Sequence, residues 1–351
     1  MELYAARSFA RVTLPCASTS PVTCRNVAPR ARRHMTDNPR MPPPRQDPAR
    51  RWRSPYLLLT LAPFFWACNW IVGRALSHDI PPLAMTFYRW LFALLILAPF
   101  ALPRVRRDWA VVRRHWRVLV PLGVIGIGVH NALAYLGLNY TTATNGVILN
   151  SFIPVMIVAM SFVFLRERLS PSRLLGVAVS LCGVLTIISG GSLEALAAFR
   201  LNGGDLIVIL SMAMWSIYTI CLRYRPPGLD TVGFLFTIAC IGELVVLPLY
   251  LAEAAFSRSM TWTWTAFVAI ACVGLFSSVL SYIFWNRGVE AVGAPVAGLF
   301  VHLMPVFGVV LAWIFLGERL MAFHLVGIAL ILTGIAITSR RAPLPAPAAP
   351  E

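Results

Sequence analysis

Four ionisable side chains interrupt stretches of sequence that are otherwise apolar: Arg89, His130, Glu243 and His302. A charge in an apolar surround is costly, so such residues by default face the protein interior and pair, carry protons or contact a ligand. For Arg89 the alternative is a side chain that extends to a polar interface. We predict proton coupling at His302 and Glu243; the alternatives are a neutral, hydrogen-bonded histidine and a protonated or arginine-paired glutamate.

Amide, phenol and indole groups also recur within apolar stretches, several of them at corresponding places in two parts of the chain. Such groups need hydrogen-bond partners when water is absent, and they serve either to join helices or to line a cavity with polar groups and aromatic walls. We predict a substrate cavity. The candidate residues are Trp66, Asn69, Arg89, Asn131, Tyr135, Asn145, Asn150, Trp215, Tyr218, Tyr282 and Asn286.

Two prolines, Pro154 and Pro305, stand near the middle of long apolar stretches. A proline inside a helix removes one backbone hydrogen bond and crowds the carbonyl four residues earlier, here those of Asn150 and Val301. A freed carbonyl in an apolar surround must find a partner or face a wet cavity. The prolines therefore indicate hinges or cavity walls, with a packing kink as the alternative.

The elements that carry these residues are apolar segments of about 20 residues, the length that a helix needs to cross a bilayer. Short loops separate them. The ten predicted transmembrane helices cover residues 56–76, 82–103, 118–138, 143–165, 174–190, 205–223, 231–251, 264–285, 294–316 and 322–338.

The chain is an internal duplication. Residues 293–334 correspond to residues lying 151 positions earlier, so that Pro154 matches Pro305 and Glu167 matches Glu318. We therefore predict two five-helix repeats, 56–190 and 205–338, in an all-α integral membrane protein. Because each repeat has an odd number of helices, the second is inverted relative to the first, a construction common in secondary transporters.

Arginine counts predict the orientation. With the N-terminus inside and the N-terminal tail left out, 14 arginines fall on the cytoplasmic side and four on the external side. Loop 104–117 holds six arginines, whereas its counterpart in the second repeat holds Arg258 alone. Positive charge concentrates in cytoplasmic loops, so both termini are predicted to be cytoplasmic.

Small residues form a stripe on the fifth and tenth helices, with Gly176 and Gly183 in one and Gly327 and Gly334 in the other. Small residues let helix backbones approach closely in a membrane. The stripes predict either packing within one chain or a homodimer contact through these helices.

Composition excludes a soluble protein, since 58% of the 351 residues are hydrophobic, 13% are charged and the mean hydropathy is +0.73. The net charge of +16 lies in the tail and short loops, which indicates membrane orientation rather than nucleic-acid binding. The cysteines form no C-x-x-C motif, and we predict no metal site, disulfide framework or cofactor. All basic residues are arginine, which favours a GC-rich bacterial source.

Residues 1–55 are rich in Arg, Pro, Ser and Thr and are predicted to be a disordered tail. Its alternatives are an over-extended gene start, with Met35 or Met41 as the initiator, and an organellar transit peptide. Residues 339–351 are predicted to form a cytoplasmic tail.

The sequence resembles EamA-type members of the drug/metabolite transporter superfamily. The resemblance covers nearly all of 56–338 and rests on the runs FWACNWIVGRAL, NYTTATNGVILNSFIPV and SYIFWNRGVEAVGAPVAGLFVHLMPVFGVVLAWIFLGERL. The sequence departs from the usual family pattern at two positions. Arg166 stands where the second repeat has Gly317, and His302 stands where a neutral residue is more common. The resemblance implies ten helices in two inverted repeats around a central cavity, and export or exchange of small metabolites such as amino acids.

The sequence therefore predicts a bacterial inner-membrane secondary transporter that alternates access to a midplane cavity. It contains no G-x-x-x-x-G-K-[ST] run for a nucleotide, so transport is expected to use a proton gradient, exchange or a downhill gradient. An integral-membrane enzyme is one alternative, but H-E-x-x-H and G-x-S-x-G motifs are both lacking. A receptor or scaffold is the other, and it gives no reason for the duplication. We predict a small-molecule substrate, lipid contact and no catalytic residues.

Overall fold

A computed structural model describes residues 54–76, 79–141, 143–167, 170–197, 200–257, 260–316 and 319–339. Nearly all of the two predicted tails, together with Gly317, Glu318 and Arg258, lie outside these residues. Within them, ten helices are long and apolar enough to cross a membrane. They are α1 (Pro55–Gly73), α2 (Pro82–Arg107), α3 (Trp116–Gly137), α4 (Ile148–Leu165), α5 (Pro171–Ile188), α6 (Gly203–Tyr224), α7 (Thr231–Phe256), α8 (Trp264–Val292), α9 (Ala294–Phe315) and α10 (Ala322–Ser339).

The predicted fold class is confirmed. The protein is all-α where it is described, and α1 to α5 and α6 to α10 form two five-helix halves of opposite orientation. Two short helices, Trp109–Arg114 and Leu193–Ala197, lie in the connections. The largest difference in bounds is at α8, which continues beyond the predicted end at 285 to Val292 although Asn286, Arg287 and Glu290 interrupt the apolar sequence there.

Both α4 and α9 are interrupted at corresponding places. In α4, the helical segment Ala143–Asn150 is followed by a turn and then by the segment Ile153–Leu165. In α9, the segment Ala294–Leu299 passes through a 3₁₀ turn, Phe300–His302, into Leu303–Leu316. The prolines lie in the first turns of the later segments, where a missing N–H costs no helical hydrogen bond.

The third helix of each half contains a π-helical segment, Val124–Val129 in α3 and Val273–Leu280 in α8. A π segment widens the helix and leaves some carbonyls outside the regular ladder. In α3 the Gly126 carbonyl accepts a hydrogen bond from the Tyr282 hydroxyl at 3.2 Å, and in α8 the Ser277 carbonyl accepts from the Trp66 indole at 3.3 Å. These segments therefore join the two halves.

The glycine stripes of α5 and α10 face each other within the chain. A Cβ atom at Gly176 would lie 2.7 Å from the Gly334 carbonyl oxygen, and one at Gly183 would lie 2.6 Å from that of Gly327. The first alternative for the stripes, packing within one chain, is what the structure shows. The homodimer stays a prediction, and it would use the outer faces of these helices, where Leu174, Leu175, Leu325, Val326 and Leu332 are exposed.

Candidate functional site

A cavity of about 600 Å³ lies between the two halves and is lined by every span except α7 and α10. Its residues extend from the middle of the helices to the end at which α1 terminates and α2 begins. Leu76, Pro82 and Asn139 line it at that end, and Asn139 is exposed there. Pockets of roughly 300–1,000 Å³ commonly hold small-molecule ligands.

Most of the predicted cavity residues line this cavity. Those that line it are Trp66, Asn69, Arg89, Asn131, Tyr135, Asn150, Trp215 and Tyr282. Polarity within apolar helices was the signal that identified them. Their roles in substrate binding stay predictions.

Three other candidates lie outside the cavity wall. The Tyr218 hydroxyl donates to the Asn286 side-chain oxygen at 2.8 Å, and both residues are buried beneath the cavity, toward the opposite membrane face. Asn145 donates to the Asp205 carboxylate at 3.0 Å near the end of the cavity. Sequence polarity could not separate these positions from the wall because a buried interhelical bond needs the same groups.

A hydrogen-bonded chain joins Arg89, Asn131 and Tyr282 on α2, α3 and α8. The Arg89 guanidinium donates to the Asn131 side-chain oxygen, and the Asn131 amide nitrogen donates to the Tyr282 hydroxyl at 3.2 Å and to the Ile127 carbonyl at 2.8 Å. Arg89 is 2% exposed, so its side chain does not extend to the interface. Asn131 therefore holds the arginine at the cavity wall.

Aromatic rings form much of the remaining wall. The rings of Trp66 and Trp215 meet edge to face with their centres 5.1 Å apart. The ring of Trp285 lies behind them, with its centre 5.3 Å from that of Trp66 and 5.6 Å from that of Trp215. Such offset arrangements of rings are favourable and rigid. Nearby, the Tyr135 hydroxyl lies 3.1 Å from the Asn69 amide nitrogen and 3.2 Å from its oxygen. The wall thus combines large apolar faces with a few fixed polar groups.

His130 also lines the cavity, although the sequence identified it only as an ionisable residue. Its Nδ1 lies 2.9 Å from the carbonyl and hydroxyl oxygens of Ser211, and the Ser211 hydroxyl donates to the His130 carbonyl at 2.8 Å. Its ring centre lies 5.0 Å from that of Trp215, with the two ring planes tilted at 37°. Ser211 gave no sequence signal, because a serine in a membrane helix is usually unremarkable.

Asp205 lies near the end of the cavity and was not among the residues predicted from the sequence. It is fully buried and accepts hydrogen bonds from the Asn202 backbone at 2.8 Å and from the side chains of Asn145 and Thr141. Asn202 and Asp205 form a capping box at the start of α6. The spacing N-x-x-D was the available signal.

His302 lies at the helix break in α9 and contacts the break in α4. Its Nε2 lies 2.8 Å from the Ser151 carbonyl oxygen, and its Nδ1 lies 2.7 Å from the Ser180 hydroxyl. Since a carbonyl can only accept, Nε2 carries the proton, and Nδ1 is then free to accept from the serine. The arrangement matches the alternative of a neutral, hydrogen-bonded histidine. Proton coupling at His302 stays a prediction.

Glu243 on α7 is 8% exposed, and within the described residues neither of its carboxyl oxygens has a hydrogen-bond partner. It interacts electrostatically with Arg89 but forms no ion pair with it. Of the two predicted hinge prolines, Pro305 lines the cavity and Pro154 is buried beside it. Both roles stay predictions.

The chain is similar to known proteins in both sequence and fold. The profile of the EamA-like transporter family matches residues 53–189 and 202–340. YetK of Bacillus subtilis (strain 168), an uncharacterized transporter, is 27% identical over 303 residues, which is 84% of this chain and 90% of that protein. YyaM of the same organism, also an uncharacterized transporter, is 29% identical over 223 residues, covering 63% and 72%. A solved crystal structure superposes with a TM-score of 0.68 at 18% identity, covering 82% of this chain and 97% of that one.

The fold and the cavity define a multi-pass helical membrane protein whose two halves enclose a small-molecule-sized space. The chain belongs to the EamA-like transporter family, since the family profile matches both halves. It is accordingly a membrane transporter and not an enzyme.

Proposed function

We propose that this protein is a secondary transporter of the bacterial inner membrane that exports or exchanges small metabolites, such as amino acids, by alternating access to the central cavity. The observation that carries the proposal is the cavity itself, which is shared by both halves and extends to one membrane face. Family membership and the inverted repeat support it. In this proposal 56–190 and 205–338 are the two moving halves, and 1–55 and 339–351 are tails.

The arginine distribution supports an outward-facing state. It assigns both termini to the cytoplasm, so the membrane face at which α1 ends and α2 begins is external. The cavity extends to that face. In this orientation the polar wall meets the outside, and the protein beneath Tyr218 and Asn286 separates it from the cytoplasm.

Two exposed ion pairs link the halves on the closed side. Beneath the Tyr218–Asn286 bond, ion pairs join Arg223 to Glu167 at 2.6 Å and Arg104 to Asp230 at 3.3 Å, each linking one half to the other. All four side chains are more than a third exposed, and such pairs contribute on the order of 0–1 kcal/mol each. We propose that opening toward the cytoplasm breaks these pairs while the external end of the cavity closes.

The matched interruptions supply places for the halves to bend. The breaks in α4 and α9 and the π segments in α3 and α8 concentrate irregular backbone at the cavity and at the contacts between halves. Irregular backbone at membrane depth is tolerated where it is buried in protein or lines a cavity. We propose that Pro154 and Pro305 mark the hinges.

The experiment that tests the function begins with a thermal-shift screen of the purified protein against small metabolites. A ligand that binds the folded form raises its stability. Solutes that raise the melting temperature are then assayed for counterflow in proteoliposomes. We expect at least one stabilising solute to exchange across the membrane; binding without exchange for every such solute would favour the receptor alternative.

A further inference from the structure

Arg89 is a buried cation whose hydrogen-bonding capacity is only partly used. A guanidinium has five N–H donors. One hydrogen bond, to the Asn131 side-chain oxygen, is present, whereas Nε has no partner within the described part of the chain although it is fully buried. The guanidinium carbon lies 5.4 Å from the centre of the Tyr135 ring and 5.6 Å from that of Trp90. These rings and Asn131 fix the group at the cavity wall.

Within the described residues, the charge of Arg89 has no ion-pair partner. Among the described residues that line the cavity, none is an aspartate or a glutamate. Asp205, near the cavity end, is engaged by Asn202, Asn145 and Thr141. Glu243 is near enough to interact electrostatically with Arg89, but it lies on α7, outside the cavity wall, and forms no hydrogen bond with it. A buried cation without a hydrogen-bonded anion is strongly disfavoured, so the cavity attracts an anionic group.

We propose that the transported substrate is a small organic carboxylate, whose carboxylate group binds Arg89 and whose apolar part packs against Trp66 and Trp215. This inference rests on the proposed transport function. Arginine binds carboxylates through two parallel N–H donors, and the Arg89 guanidinium lines the cavity with donors that its bond to Asn131 leaves unused. The two tryptophans lie on the cavity wall with their ring centres 5.1 Å apart. They offer an apolar surface to the apolar part of the same ligand.

The same wall discriminates against an ammonium group. The fixed positive charge of Arg89 repels a ligand ammonium, and the described lining residues include no aspartate or glutamate to offset that repulsion. Arg89 is the one arginine among the described cavity-lining residues, so the cavity carries this fixed positive charge on one side. We therefore place simple carboxylates ahead of the matching amino acids as substrates.

The test uses ligands that share one apolar group and differ in charge. Phenylacetate, phenylacetamide, phenethylamine and phenylalanine are compared by thermal shift with the purified protein, followed by a wider set of aliphatic and aromatic carboxylates. We expect carboxylates to raise the melting temperature at concentrations at least about tenfold below those needed for the amide and the amine. Equal shifts across the charge series, or stabilisation by the amine alone, would overturn the inference.

Substitution at Arg89 makes the test specific. Arg89→Gln is expected to lose the preference for carboxylates, Arg89→Lys to retain it with weaker binding, and Arg113→Gln, which changes an exposed arginine outside the cavity, to leave it intact. If Arg89→Gln does not fold, the ligand series on the unsubstituted protein decides. Counterflow separates the two proposals: exchange of neutral or cationic solutes alone refutes the carboxylate site and keeps the transporter, whereas no exchange of any stabilising solute refutes the transporter.

Discussion

Arg89, Asn131 and Tyr282 connect three helices from both halves through side-chain hydrogen bonds at the cavity. The sequence predicted each as a cavity residue, because a charge or an amide in an apolar helix needs a reason to be there. It gave no indication of which groups pair, since pairing depends on helix rotation and on packing between distant segments. For the same reason it could not distinguish the wall residue Tyr282 from the buried Tyr218.

His302 provides a prediction at a single residue. His302→Ala leaves the Ser151 carbonyl and the Ser180 hydroxyl without their partner, and an unsatisfied buried polar group costs about 1–3 kcal/mol. We expect a lower melting temperature of the purified protein and a smaller loss for Ser180→Ala, which removes one of the two bonds. A variant with an unchanged melting temperature and a shifted pH profile of transport would establish proton coupling at His302 instead.

Glu243 carries the second residue-level prediction. A buried carboxyl group without a hydrogen-bond partner among the described residues can take up and release a proton, while a glutamine of the same shape cannot. We expect Glu243→Gln to flatten the pH dependence of uptake into proteoliposomes. Glu194→Gln, which alters an exposed glutamate in the short helix Leu193–Ala197, is the matched control and should leave the profile as it is. If Glu243→Gln, like Glu194→Gln, keeps the pH profile of the unsubstituted protein, the role of Glu243 is structural.

At the scale of helices, the prolines predicted where α4 and α9 depart from regular helix, and both interruptions occur there. The form of the interruption was not predictable, because the break is completed by the long-range bond from His302 to the Ser151 carbonyl. The π segments of α3 and α8 had no local signal either. Their freed carbonyls are satisfied by Tyr282 and Trp66, which lie far away in the sequence.

The contact between α5 and α10 gives a prediction at this scale. A valine at Gly183 would place its Cβ 2.6 Å from the Gly327 carbonyl oxygen and 2.8 Å from the Ile331 nitrogen, so the helices must separate. Overpacking of this kind costs about 1–3 kcal/mol or more. We expect Gly183→Val to lower the melting temperature clearly and Gly203→Ala, where a Cβ meets nothing within 4 Å, to change it little. Similar melting temperatures for the two variants would mean that the glycine contact does not stabilise the protein.

At the scale of the whole molecule, the duplication and the ten apolar segments were sufficient to predict the fold. Segment length and hydrophobicity determine that a chain spans the bilayer, and an odd number of helices in each repeat determines the inversion. The resemblance to EamA-type transporters, and not the symmetry itself, implied a central cavity between the halves. Neither pattern indicates which membrane face the cavity reaches, because that depends on the packing that closes the other face.

Membrane orientation is a separate prediction. The arginine bias predicts that both termini are cytoplasmic, so reporter fusions within 104–117 and after residue 340 should show cytoplasmic activity, and fusions within 191–203 should show external activity. The 104–117 fusion serves as the internal reference, since six arginines mark that loop. An external reporter after residue 340 would exclude the inverted five-plus-five arrangement with cytoplasmic termini.

The reactivity of single introduced cysteines tests alternating access most directly, with one cysteine in the cavity wall and one in the buried region that closes the cavity from the opposite membrane face. In a background without other cysteines, Asn69→Cys lies on the cavity wall and Asn286→Cys lies buried beneath it. A membrane-impermeant maleimide should modify Asn69→Cys from the cavity face, and should modify Asn286→Cys slowly from the opposite face as the protein visits its other state. Modification of Asn69→Cys combined with no modification of Asn286→Cys from the opposite face, in protein that transports solute, would contradict the account.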